Sequence, residues 1–225
     1  MTKRLKHKYK ICRQVGEDIW GKFYKNIKLS QRPGQHGITK RRTKELAYIF
    51  EDNKEIQKLD IVNKRQLIHK IRKFYSNISS KQFNSLLSKS KALYNNIQYS
   101  GNNLTVLSLL EQRLDTIVYR INWASSFYNA RMLISHGHIL VNGSKVYIPS
   151  YIIQPGDMIQ AHKNSYDIIK NTMINNLLAL KIKINTPNYI EVNYNTLSAI
   201  FIYVPRETEI PYPTLNIRYL TNLIY

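Results

Sequence analysis

The chain has 225 residues, 43% of them hydrophobic, which is long enough to bury a sizeable core and argues against wholesale disorder. Its formal net charge is +20, a self-repulsion that points to a polyanionic partner, either nucleic acid or an anionic membrane surface. The membrane is disfavoured, because no run of 18 apolar residues exists and no lysine cluster flanks one.

At the N-terminus, "MTKRLKHKYK" is followed by no apolar stretch, so no secretory signal is expected. The first 16 residues carry six Lys or Arg and no acid, a composition that an organelle transit peptide would share. Cys12 is the single cysteine, which rules out an intrachain disulfide and fits a reducing compartment. With only the scattered His7, His36 and His69 beside it, a structural zinc site lacks its ligand spacing, and no metal is expected. From Lys3 to Lys44 lie 14 of the 34 Lys and Arg, against Glu17, Asp18 and Glu45 nearby. Among them "RPGQHG", Arg32 to Gly37, is a glycine-bracketed loop that can bring backbone N–H groups close to phosphate. Read from its residues alone, it is equally well a solvated surface loop.

From Ile61 to Leu110 there are eight basic residues and no acid. Within this segment "KRQLIHKIRKFY", residues 64 to 75, predicts a helix. Leu67, Ile68, Ile71, Phe74 and Tyr75 fall on one arc, and Arg65, His69, Lys70, Arg72 and Lys73 on the other. Solvated faces usually mix signs, so a face with cations alone points to polyanion contact. Ser79 or Ser80 then caps a further helix. "SGNNL", residues 100 to 104, is the best candidate for a domain boundary.

Beyond it, Leu107, Leu110, Leu114, Ile117, Val118 and Ile121 recur as in one helix, with Arg113 and Arg120 on one flank and Glu111 and Asp115 on the other. That helix is expected to show a cationic edge. Ser125 or Ser126 caps the next helix, which holds Phe127, Ala130, Leu133 and Ile134 inward and Arg131 beside them. Gly137 suits the left-handed position that ends a helix. "HILVNGSKVYI" alternates around Asn142-Gly143, the strongest short-range signal of a type I′ hairpin, and Pro155-Gly156 fit a type II turn before another strand. The stretch from Ala130 to Ser150 thus strings Arg131, His136, His138 and Lys145 along a compact unit with no nearby carboxylate to pair with them. His136 and His138 could chelate a metal, but in so basic a segment packing or phosphate contact is the preferred reading. Residues 166 to 180 again predict a helix, with Ile168, Ile169, Met173, Ile174, Leu177 and Leu178 apolar. Extended segments and prolines close the chain. Beyond Asn171 the cations Lys181, Lys183, Arg206 and Arg218 are nearly balanced by Glu191, Glu207 and Glu209.

Residues 110 to 157, "LEQRLDTIVYRINWASSFYNARMLISHGHILVNGSKVYIPSYIIQPGD", resemble the RNA-binding domain named after small-subunit ribosomal protein S-four, which pseudouridine synthases and a tyrosyl-tRNA synthetase also carry. "KYKICRQVG", "RPGQHG", "IRKFYSNISSKQF" and the closing "PNYIEVNYNTLSAIFIYVPRETEIP" are similar, in order, to segments of the ribosomal protein family itself, so the resemblance covers nearly the whole chain. Because it begins by Lys8, residues 1 to 16 are expected to be mature protein. The chain departs from the family where Phe127 stands in place of a second basic residue four before Arg131, which removes one expected phosphate contact. Cys12 alone cannot form the cysteine zinc knuckle of some bacterial members, and residues from about Glu51 to Asn63 look longer than the bacterial pattern.

The resemblance implies an α+β fold: a helical domain with an inserted helix–helix–hairpin RNA-binding domain of the alpha-L type, preceded by a basic extension. The expected boundaries are 1–44 for the extension, 45–101 for the helical domain, completed by a return over 181–225, and 102–180 for the RNA-binding domain. The implied function is that of a structural constituent of the small ribosomal subunit, a primary assembly protein on a multi-helix rRNA junction with an influence on decoding accuracy. Expected rRNA contacts are Lys8, Lys10, Arg13, Arg32, Gln35, His36, Lys40, Arg41 and Arg42 in the extension. Arg65, Arg72 and Lys73 follow on the helical face, and Arg113, Arg120, Arg131, His136, His138, Asn142 and Lys145 in the small domain. Arg206, Glu207 and Glu209 fall where the family meets its S-five neighbour close to where mRNA enters. No cofactor, small-molecule substrate or catalytic residue is expected. An enzyme or binding factor that modifies RNA through the same domain is the alternative, yet no G-x-G-x-x-G or G-x-x-x-x-G-K motif occurs, and turn or cap roles suffice for Asp115 and Asp157. A composition rich in Asn, Ile, Lys and Tyr suggests an AT-rich coding genome: a mitochondrial ribosome first, then a plastid or a bacterium.

Overall fold

The computed structural model describes residues 8–15, 18–20, 33–34, 65, 68–96, 106–180, 186–206 and 209–211. The chain divides into two compact units, residues 1–78 with 212–225, and residues 79–211.

In the first unit, helix α1 (Lys8–Val15) buries Ile11 and Cys12. The Cys12 thiol lies 3.7 Å from Asp18 Oδ1, and burial pushes its pKa from 9.0 up to about 11. Residues 68–74 are helical and bury Ile71 and Phe74, with Ile68 half-buried and Tyr75 buried just beyond, so the described part of the predicted apolar arc points inward; Leu67 lies outside the described residues. Trp20 Nε1 donates to the Phe74 carbonyl at 3.4 Å. Ser76 and Asn77, both left-handed at φ 55° and 59°, then turn the chain.

The second unit opens with α2 (Ser80–Asn96). Its start is a reciprocal cap: the Gln82 N–H donates to Ser79 Oγ at 3.2 Å while the Ser79 N–H donates to Gln82 Oε1 at 3.4 Å. The single helix expected over 107–121 is in fact two, α3 (Val106–Glu111) and α4 (Leu114–Arg120). Arg113 between them is extended, at φ −69° and ψ 138°. The segment 149–153 explains the break by supplying the hydrogen bonds the helix gives up. Leu114 and Asp115 N–H donate to the carbonyls of Tyr151 and Pro149, and Ile153 N–H donates to Gln112 O, at 2.9 to 3.1 Å. Apolar spacing alone cannot reveal such a break, because every residue of α3 and most of α4 is buried whichever way the backbone runs.

Helix α5 (Phe127–Ser135) begins at Ser126, whose Oγ accepts from the Asn129 N–H at 3.3 Å. It ends at Gly137 (φ +72°) in a Schellman motif, with His138 N–H donating to Leu133 O and Gly137 N–H to Ile134 O. The hairpin β1 (Ile139–Val141) and β2 (Ser144–Lys145) turns at Asn142 (φ 50°) and Gly143 (φ 79°), as a type I′ turn requires. A second turn, closed by Asp157 N–H on Gln154 O with Gly156 at φ +92°, leads into β3 (Met158–Ala161). Helix α6 (Tyr166–Leu180) follows, then β4 (Ile190–Asn193) and β5 (Ser198–Phe201).

The five strands form one antiparallel sheet in the order β2-β1-β3-β5-β4. Alternation puts Ile139, Val141, Ile159, Ala161, Ala199 and Phe201 on one face, where they meet Leu114, Ile117, Val118, Ala130, Leu133, Ile134 and the fully buried Trp123 in a continuous core. Of the apolar residues predicted in α6, Ile169 and Met173 reach this core, whereas Ile168 and Ile174 are exposed.

Candidate nucleic-acid interface

The helix break decides what becomes of the cations in this unit. In a continuous helix Glu111 and Arg120, nine residues apart, would point in roughly opposite directions, at about 100° per residue. With the backbone interrupted at 112–113 they meet: Arg120 Nη2 and Nε donate to the two Glu111 oxygens at 2.7 and 3.0 Å. Tyr189 Oη adds a bond to Glu111 Oε2 at 2.9 Å, and Arg120 Nη1 donates to Pro211 O at 3.0 Å. Arg113 similarly folds onto Asp115, with Nε and Nη2 on Oδ1 and Oδ2 at 3.0 and 2.9 Å. Glu111, Arg113 and Asp115 are all buried. The expected cationic edge through Arg113 and Arg120 is therefore an internal ion-pair layer, its charge cancelled by the carboxylates assigned to the opposite flank.

Arg131 takes part from α5, its Nε donating to Asp115 Oδ2 at 2.9 Å. The stretch 130–150 thus does have a carboxylate partner, contributed by a helix earlier in the chain. Unlike Arg113, the Arg131 side chain keeps 29% of its surface exposed, so it reaches from the buried layer to solvent.

Around it lies the exposed surface. His136 caps the C-terminus of α5 in the open. His138 is half-buried, its Nδ1 2.7 Å from Ser165 Oγ, with the two imidazole centroids 6.1 Å apart. Lys145 is exposed on β2. Asn142 is exposed at the hairpin tip, but its side chain serves the turn: Nδ2 donates to Asp157 Oδ1 at 2.8 Å and Oδ1 accepts from Met158 N–H at 2.9 Å. Phe127, where the family has a basic residue, is buried and stacks on Tyr119 with centroids 4.1 Å apart.

In the first unit Lys10 and Arg65 are exposed and Arg13 is half-buried, while Lys8 is placed by its backbone on α1. Arg72 Nε donates to Ile78 O at 2.9 Å and Lys73 Nζ to Asn77 Oδ1 at 2.8 Å, so both brace the turn that follows their helix. Arg32, Gln35, His36, Lys40, Arg41 and Arg42 lie outside the described residues; of their loop Gly34 is described, left-handed at φ +104°. Glu207 also lies outside. Arg206 and Glu209 are exposed and tied locally, the Arg206 N–H donating to Glu209 Oε2 at 3.3 Å.

Reading the sequence alone missed the organising role of Glu111 and Asp115, because the continuous-helix assumption set them on the far flank from their partners. It also passed over Tyr147, Ile148 and Tyr151, which are 57%, 61% and 42% exposed beside the hairpin. The alternation there reads as strand, and nothing in the sequence tells an inward from an outward aromatic.

A family model of the S4 domain matches residues 112–159, from the helix break to the start of β3. Over nearly the full length, the chain is 34% identical to small ribosomal subunit protein uS4 of Methylobacterium nodulans, covering 95% of this chain and 93% of that one. It is 36% identical to uS4 of Rhodopseudomonas palustris strain HaA2, with 94% and 93% covered. It is 34% identical to small ribosomal subunit protein uS4m of Reclinomonas americana, with 95% of each covered. The Arg113–Asp115–Arg131 ion pairs, the capped helix α5 and the hairpin fall inside the matched domain, and with identities of 34–36% over nearly its whole length the chain belongs to the uS4 family of small ribosomal subunit proteins.

Proposed function

We propose that the protein is a structural constituent of the small ribosomal subunit that docks on a folded junction of its rRNA. The observation that carries this reading is the likeness to uS4 proteins over 94–96% of the chain, joined to a formal charge of +20. The alternative of an RNA-modifying enzyme has no support in relatives that are ribosomal proteins from end to end.

The mechanism is electrostatic capture followed by reading of shape, since A-form major grooves are too narrow for side chains and folded RNA offers phosphates, 2′-hydroxyls and junction geometry. In the small domain, exposed Lys145, His136 and the solvent-reaching part of Arg131 meet the RNA on a helix–helix–hairpin frame of the alpha-L type. Arg113, Arg120 and Asn142 hold that frame rigid. The basic residues of the extension, with Arg65 from the helical face, engage a second region. The segment around Arg206 and Glu209 faces a neighbouring protein, for which the family resemblance points to S-five, close to where mRNA enters. A mitochondrial ribosome is the favoured setting, on the Asn-, Ile-, Lys- and Tyr-rich composition, which includes 17 Tyr.

Filter binding of the purified chain to small-subunit rRNA tests the core of this. Engagement of roughly six to ten phosphates predicts an affinity loss of about 10³–10⁵-fold between 50 and 200 mM salt. A folded protein with a flat salt response would overturn the reading. Mass spectrometry of small-subunit particles from isolated mitochondria tests the setting.

A further inference from the structure

The surface beside the hairpin holds a feature that charge does not explain. Three large side chains, Tyr147, Ile148 and Tyr151, are exposed within five residues, next to exposed Lys145 and His136. Exposed apolar groups are ordinary when scattered, but a cluster of them marks a contact surface. This one is built on a fixed strap. Tyr151 N–H bonds Ile148 O at 3.1 Å, Pro149 and Tyr151 carbonyls accept from the first N–H groups of α4 at 3.1 and 2.9 Å, and Ile153 N–H bonds Gln112 O at 2.9 Å. The Tyr147 ring lies on Gly137: a Cβ built there would stand 2.8 Å from Tyr147 Cε1. Only a glycine, already required at that left-handed position, lets the ring settle so close to the backbone.

We infer that Tyr147, seated on Gly137 and flanked by His136 and Lys145, is a stacking platform for one unpaired nucleobase of the bound RNA. This rests on the rRNA-binding reading above and specifies one contact within it. A strap held by backbone hydrogen bonds has little conformational entropy left to lose, so an aromatic on it presents a ready face. Folded RNA is read at loops and bulges by stacking splayed bases on aromatic rings, and every base offers such a face. Lys145 beside the ring pairs with a phosphate next to the base, and the His136 imidazole offers a further polar contact. The exposed polar residues beside the ring, Lys145, Ser144 and His136, suit a nucleic-acid partner better than a protein one.

The test uses the full chain and small-subunit rRNA, with wild type, Tyr147→Phe, Tyr147→Leu and Lys145→Ala. Loss of one base stack weakens binding by about 5- to 100-fold, so Tyr147→Leu is expected to fall in that range while Tyr147→Phe stays within about twofold of wild type. The dependence of affinity on salt should keep its slope in Tyr147→Leu, because no phosphate contact is lost, and drop by about one in Lys145→Ala. Ultraviolet crosslinking of the wild-type complex should join Tyr147 to a nucleotide that is unpaired in the rRNA. Wild-type-like binding by folded Tyr147→Leu, or equal losses in the Phe and Leu variants, would overturn the stacking assignment while leaving rRNA binding intact. Failure of the wild type itself to bind would overturn the reading on which it rests. Circular dichroism of each variant separates misfolding from lost contact, and the crosslink decides the matter should Tyr147→Leu misfold.

Discussion

Glu111 and Arg120 stand on opposite sides of a broken helix and share two hydrogen bonds of 2.7 and 3.0 Å, with the carboxylate wholly buried and the arginine side chain 9% exposed. A buried pair of this kind contributes little relative to a well-packed apolar one, yet removing one member strands the other's charge. Glu111→Ala is therefore expected to cost about 3–5 kcal/mol, because Arg120 loses both carboxylate bonds while its charge stays largely buried. For a chain of this size that is on the order of 10 °C in Tm. Tyr189→Phe, which removes only the hydroxyl, should cost about 1 kcal/mol. Urea unfolding of both variants checks the ranking, and equal losses would contradict it.

Gly137 and Gly143 are both left-handed, at φ +72° and +79°, but they differ in surroundings. A Cβ at Gly137 meets the Tyr147 ring at 2.8 Å, whereas one at Gly143 meets nothing within 4 Å. Gly143→Ala should thus show backbone strain alone, about 1–2 kcal/mol. Gly137→Ala should cost more and displace the Tyr147 ring. Urea midpoints give the difference, and combining Gly137→Ala with Tyr147→Ala should bring its cost close to that of Gly143→Ala.

Much of the small domain could be anticipated from local chemistry. Asn142-Gly143 requires its turn, Gly137 ends its helix, and of the candidate caps Ser125 and Ser126 it is Ser126 that begins α5, because each of these signals acts within a few residues of itself. What could not be anticipated is long in range. The break at Arg113 depends on carbonyls of residues 149 and 151, nearly forty positions later, and the sheet adds β5 beside β3 across a gap of about forty more. Two of the cations expected to face RNA are instead paired with carboxylates in this unit for that reason: Arg113 and Arg120 were placed by helical spacing, and the helix is not continuous. The exposure of Lys145 and His136 came through unchanged, since β2 and the end of α5 are where local signals place them.

Cys12 gives a pH test. Burial raises its pKa from 9.0 to about 11, so the native state holds its proton more tightly than the unfolded chain. Stability is then independent of this group below about pH 9 and falls as pH rises from about 9 toward 11. At pH 8 the native thiol is far less ionised than in the unfolded chain and is buried as well, so alkylation by iodoacetamide should be at least about tenfold slower in native buffer. Alkylation in native buffer at the rate seen in 6 M guanidinium would show that Cys12 is not protected as described.

Arg131 differs from Arg113 in reaching from the buried ion pairs to the surface. Its Nε holds Asp115 Oδ2 at 2.9 Å, while 29% of the side chain reaches solvent. A guanidinium can keep an inner carboxylate and still direct other N–H groups outward; an ammonium presents a single nitrogen and must choose. Arg131→Lys is accordingly expected to lose nearly as much rRNA affinity as Arg131→Ala, despite keeping the charge. Lysine that satisfies Asp115 gives up the phosphate, so the salt slope should fall by about one in both variants. If Arg131→Lys binds rRNA with wild-type affinity and slope, the bridging geometry is not what the RNA uses, and simple positive charge at that position is enough.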